Sequence, residues 1–165
     1  MTAANQRKLV LDVASTCVLL TTGGVRAELT LLDEDDVLAA VLDHTLAPAF
    51  DLGLGGRRDL RVLPSALDFY RQTLGSRRRR ISERELLEEL LRGQKPADQR
   101  PGNSEGWLAG EAVRLILNCG STHLINLIDD GELAQMPGTS YRRGPNGSAQ
   151  IPVASLKDFL KRRLL

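Results

Sequence analysis

Between Leu108 and Leu133 the chain reads LAGEAVRLILNCGSTHLINLIDDGEL, two short apolar stripes at helical spacing with a break between them. Val113, Leu115, Ile116 and Leu117 form the first stripe. Leu124, Leu127 and Ile128 form the second, at three- and four-residue steps that place them on one helix face. Asn118-Cys119-Gly120 is the break. Gly131, after Asp129-Asp130, is a natural stop, because glycine takes the left-handed conformation that ends helices. Two helices joined by a glycine-containing turn are the outline of a helix-turn-helix. That outline points to a binding module without giving its target.

At 165 residues there is room for one ordinary domain or two small ones. Apolar residues make up 42% and aromatics only 4%, so the expected core is aliphatic. The net charge is +1, so any affinity for nucleic acid has to come from local basic patches. Cys17 and Cys119 belong to no CxxC pair and are expected to be reduced, buried and inert. The first residues lack the sustained apolar core of a signal peptide. No run approaches the roughly 18 apolar residues of a membrane span. The expectation is a soluble, cytoplasmic protein with no membrane partner.

Taken in order, Cys17–Leu31 is expected to be a β-hairpin turning at Thr22-Gly23-Gly24, because Val25–Leu31 alternates apolar and polar side chains. Asp33 is a good N-cap for a helix from Glu34 to about Leu42, with Asp35 and Asp36 in its first turn. A second short helix is expected over Leu46–Leu52, with Pro48 near its start. Gly53, Gly55 and Gly56 make a turn, Arg57–Val62 a strand, and Pro64–Leu74 a helix ended by Gly75. Ser82 and Glu85 form a capping box for ISERELLEELLRG. Residues 94–106 have the composition of a linker. Gln150–Pro152 reads as a short strand, and Val153–Leu165 as an amphipathic helix whose inward face is Leu156, Phe159 and Leu160.

The two halves run in a similar order. Leu32 and Asp36-Val37 face Leu108 and Ala112-Val113. Leu46, Phe50, Asp51, Gly53 and Leu54 face Leu124, Ile128, Asp129, Gly131 and a position near Leu133. Val62, Leu67 and Tyr70 face Ile151, Leu156 and Phe159. The expected fold is therefore α+β and mainly helical, with two winged-helix-like units as a degenerate internal repeat, the first preceded by the β-hairpin. The first unit reads as the eroded one for DNA purposes. Its second helix carries Pro48 and would expose Ala47 and Ala49, and its wing, GLGGRR, is short.

Residues 108–165 resemble the excisionase family of winged helix-turn-helix domains, relatives of the mercury-resistance-regulator (MerR) type. The matching residues are Glu111-Ala112, then Leu124, Leu127 and Ile128, then Gly131-Glu132-Leu133, and after the wing Ile151-Pro152, Leu156 and Phe159-Leu160. The chain departs from the pattern at Gly120, where a Ser commonly caps the second helix and where Ser121 is the candidate substitute. It departs again at Asp129-Asp130, where basic residues are common. The resemblance implies DNA binding, as a transcription regulator or a recombination accessory factor. It sets the expected boundaries: 1–75 for the hairpin and degenerate unit, 76–106 for a basic segment, helix and linker, and 107–165 for the winged helix-turn-helix domain.

In such a domain the second helix enters the major groove and its N-terminal side chains reach base edges. Here these are Ser121, Thr122, His123 and Asn126, and Asn can bond adenine in bidentate fashion. The wing, 138–148, supplies Thr139, Ser140, Tyr141, Arg142 and Arg143, of which the arginine pair suits phosphates or a narrow minor groove. Lys157 adds charge on the last helix. Arg77, Arg78, Arg79 and Arg80 are candidates for secondary phosphate contacts or for a plain solvated run. No enzyme, metal site, cofactor or small-molecule ligand is expected. His44 and His123 each sit alone, Gly53–Gly56 lacks a P-loop Lys-Ser/Thr, and Asp33–Asp36 suits helix capping better than calcium spacing. The expected partner is double-stranded DNA, with a homodimer allowed. The alternative is an interaction or oligomerisation module whose winged-helix units have lost DNA contact, using exposed leucine-rich faces such as ISERELLEELL.

Overall fold

The computed structural model describes residues 16–30, 32–94, 96, 105–137, 139 and 149–165. The fold is α+β and mainly helical, with seven helices and two small antiparallel sheets among the described residues. It divides into two compact units. The first comprises Val18–Glu83 together with Lys157–Leu165; the second comprises Arg84–Leu156, with Thr16 and Cys17.

The first unit runs β1 (Leu20–Thr21), α1 (Thr22–Glu28), α2 (Glu34–Leu42), β2 (Ala49–Asp51), β3 (Leu60–Val62) and α3 (Pro64–Thr73). The sheet order is β1-β3-β2, with Leu20 opposite Val62 and Phe50 opposite Arg61. Two expectations are corrected. Cys17–Leu31 is no β-hairpin, because Thr22–Glu28 is a helix. The Thr21 Oγ1 accepts from the Gly24 N–H at 3.0 Å and caps it. Val25 and Leu29 are four apart, a spacing shared by the two-residue and the helical period, so alternation alone misled. Leu46–Leu52 is no helix either. It is a turn leading into β2, and Leu46–Phe50 are all buried, including Ala47 and Ala49, which had been expected on an exposed face. A run buried on every side carries no helical stripe.

α2 forms as expected. Asp33 caps it, accepting from the Asp36 N–H at 2.8 Å, and the Asp36 carboxylate accepts from the Asp33 N–H at 3.1 Å. α3 starts with Pro64 and ends at Leu74 and Gly75, both left-handed. The β2–β3 connection closes on Asp51, whose carboxylate accepts from the Gly53 and Asp59 N–H groups at 2.9 Å each. Gly53 is needed there, since a Cβ would lie 1.6 Å from the Arg57 carbonyl oxygen. The unit is completed by the chain's last residues. Leu165 N–H donates to the Ala49 carbonyl, and the Arg163 guanidinium donates to the Gly53 carbonyl at 2.8 Å.

α4 (Glu83–Leu90) begins on Glu83, the last residue of that unit's first segment, and continues into the second unit. The second unit then runs β4 (Trp107–Ala109), α5 (Gly110–Leu117), α6 (Ser121–Asp129), β5 (Gln150–Pro152) and the start of α7 (Val153–Arg163). β4 and β5 pair with Leu108 opposite Ile151. Val113, Ile116, Leu117, Leu124, Leu127, Leu133 and Ile151 are buried between these elements, an aliphatic core as expected. α4 does not offer an exposed leucine face: Leu86 and Leu90 are buried, and Ile81, Leu87 and Leu91 are half-buried.

α2 and α6 end in the same way. After α2, the N–H groups of Asp43, His44 and Leu46 donate to the carbonyls of Ala39, Val41 and Ala40. After α6, those of Asp130, Gly131 and Leu133 donate to Asn126, Ile128 and Leu127. His44 and Gly131 hold left-handed backbone, at φ 63° and 78°, and the leucine two residues later is buried in each case. No helix among the described residues is long and apolar enough to cross a membrane.

Candidate nucleic-acid interface

The turn between α5 and α6 is built by one side chain. Asn118 adopts the left-handed conformation, φ 50°, and ends α5. Arg114, one turn before, donates to the Cys119 carbonyl at 3.2 Å, and its backbone carbonyl accepts from the Cys119 N–H. The same guanidinium is held by Glu111, three residues earlier on α5. Gly120 is the N-cap of α6 with no side-chain cap, so Ser121 is the first helical residue and does not substitute for a capping serine.

This turn sets out Ser121, Thr122 and Asn126 as exposed side chains along α6, with His123 half-buried. The first turn of α6 holds no acid, so no carboxylate of that turn meets its positive dipole end. Asp129 and Asp130 are exposed at the far end. At a rise of 1.5 Å per residue they stand about 12 Å from Ser121. That exceeds a Debye length of about 8 Å at physiological salt.

Of the expected wing residues, Ser140, Tyr141, Arg142 and Arg143 lie outside the described residues. Thr139 is half-buried and engaged: its hydroxyl donates to the Met136 carbonyl at 2.7 Å and accepts from the Gln150 N–H at 3.2 Å. It ties the base of the connection to β5. Lys157 is half-buried on α7, within the first unit rather than with α6.

In the first unit, α2 opens on Glu34, Asp35 and Asp36, all exposed. Arg77, Arg78 and Arg80 are exposed, while Arg79 is half-buried and committed to the unit. Its N–H donates to the His44 carbonyl at 2.9 Å, its guanidinium donates to Ser65 Oγ at 2.7 Å, and the same group lies 5.8 Å from the centre of the Phe69 ring. Nothing in the SRRRR pattern singles out Arg79. The Glu111–Arg114 pair, by contrast, was readable as an i, i+3 spacing.

Both cysteines are buried. Burial first, and then the nearby Glu89 charge, push the Cys17 thiol up to about 11. Among the described residues no three His, Cys, Asp or Glu side chains gather into a metal site. No protein-family model, curated protein or solved structure matches the chain.

Proposed function

We propose that the protein binds double-stranded DNA sequence-selectively, reading the major groove with α6 and contacting phosphates with the 138–148 wing. It would act as a transcription regulator or an excisionase-like recombination accessory factor, by binding rather than by catalysis. The observation that carries the reading is the start of α6: exposed Ser121, Thr122 and Asn126 on an acid-free helix start, set behind a turn closed by Arg114. Small polar side chains at that position are what base-edge hydrogen bonding needs.

We also infer that the two units are a degenerate repeat of one winged-helix plan. What supports this is that each unit has a strand, two helices, a strand and a helix in that order, with β2 as an additional strand in the first, and the matching bonds after α2 and α6. The register differs from the one expected at its first two stretches. Val37, Ala40 and Leu46 fall opposite Leu124, Leu127 and Leu133, while Val62, Leu67 and Tyr70 keep Ile151, Leu156 and Phe159 as partners. In that register Glu34, Asp35 and Asp36 occupy the places of Ser121, Thr122 and His123. The start of α2 is then unsuited to phosphates because it is acidic, not because a proline shortens it.

The test is selection of bound sites from a random duplex pool by the whole chain, followed by titration. A recovered motif whose binding weakens by about 1–3 kcal/mol on Asn126→Ala, with non-specific binding kept, supports the reading. Recovery of no motif, with no duplex binding at low salt, overturns it.

A second reading, an interaction module that can also dimerise, is favoured by an apolar cleft of about 400 Å³ in the first unit. It is lined by Leu29, Leu32, Tyr70 and Leu74, and Leu74 is 86% exposed. A stable oligomer lost on Leu74→Ser, in a chain that shifts no duplex, would select this reading.

A further inference from the structure

The arginine run after α3 is not a loose charged tail. Its entrance is fixed by Ser76, whose N–H and hydroxyl both donate to the Thr73 carbonyl, at 3.0 and 2.5 Å. Its middle is fixed by Arg79, through the His44 carbonyl, Ser65 Oγ and the face of Phe69. The flanking Arg77, Arg78 and Arg80 are left exposed on an ordered backbone. We propose that this strap is a second DNA-phosphate contact, in which Arg77, Arg78 and Arg80 touch the duplex backbone and Arg79 is a positioning residue. The inference rests on the duplex-binding reading above and extends it to the unit whose helix start is unsuited to DNA.

Three physical points carry it. A free arginine loses side-chain and backbone freedom when it meets a phosphate, and a backbone already pinned on both sides of Arg77 and Arg78, and next to Arg80, has part of that loss behind it. The guanidinium fork suits phosphate oxygens. The three carboxylates of α2 do not cancel the strap, because it is bonded to His44, beyond the other end of that helix. Over nine residues at 1.5 Å each the separation along the helix axis is about 13 Å, more than a Debye length at physiological salt.

Contact and anchor are separable by salt. Each neutralised phosphate adds about 0.9 to the slope of log affinity against log salt. The experiment is a salt series on the whole chain with a generic duplex. Variants are the triple change Arg77→Gln, Arg78→Gln, Arg80→Gln, and the single change Arg79→Gln, with thermal melts to confirm that both fold. The triple variant is expected to lose about 2–3 from the slope. Arg79→Gln is expected to weaken binding several-fold at every salt concentration with the slope kept, since the three contacts remain but are no longer held. An unchanged slope in the triple variant, in a chain that does bind duplex, overturns the strap and leaves the α6 reading standing. Failure of the unmodified chain to bind any duplex overturns both. A slope loss in Arg79→Gln equal to one phosphate would make Arg79 a contact and overturn its positioning role.

Discussion

α2 and α6 end in the same hydrogen bonds and start in opposite chemistry. α2 is capped by Asp33 and opens on three carboxylates; α6 is capped by a glycine and opens on Ser, Thr and His. The first arrangement satisfies the helix dipole from within the chain and strengthens the helix. The second leaves the helix start without a side-chain cap or an acid in its first turn. The difference teaches that two helices with the same ending can start in opposite ways, one capped and charged from within the chain and one not.

The comparison is broken most severely by exchanging the two starts. Ser121→Glu with Thr122→Asp and His123→Asp is expected to weaken duplex binding by about 100-fold or more, by setting three negative charges against phosphates. Fluorescence anisotropy against labelled duplex reads this; an unchanged affinity would mean that α6 does not face DNA. Next in size is a contrast of glycines. Gly53→Ala drives a Cβ into the Arg57 carbonyl and is expected to cost about 1–3 kcal/mol of stability. Gly120→Ala meets nothing within 4 Å and is expected to cost only about 0.5–1 kcal/mol, as the poorer N-cap of α6. Denaturant melts of the two variants measure the gap. Thr21→Ala removes the α1 cap and should destabilise by about 1 kcal/mol in the same assay. Smallest is Gly120→Ser, which gives α6 the cap it lacks. A gain of a few tenths of a kcal/mol is expected.

Much of the second unit was legible in its sequence. α5, the break at Asn118–Gly120, α6 and the stop at Gly131 all form where the apolar spacing and the glycines place them. The first unit was read less well, for local reasons. Val25 and Leu29 satisfy a strand and a helix period alike, and Thr21 decides between them only once its hydroxyl is seen on Gly24. Leu46–Phe50 is buried on every side, so it has no stripe to read. Lys157 and Arg79 show the limit for the site. Arg79 lies in a basic run and Lys157 on a helix with a basic end, and only tertiary structure separates a half-buried or anchored cation from an exposed one.

The most direct measurement is backbone amide exchange on the whole chain, with and without saturating duplex at low salt. The expected result is protection gained over residues 121–126 with residues 34–38 unchanged. Protection at 34–38, or at neither helix while the duplex is bound, would contradict the assignment of α6 as the reading helix.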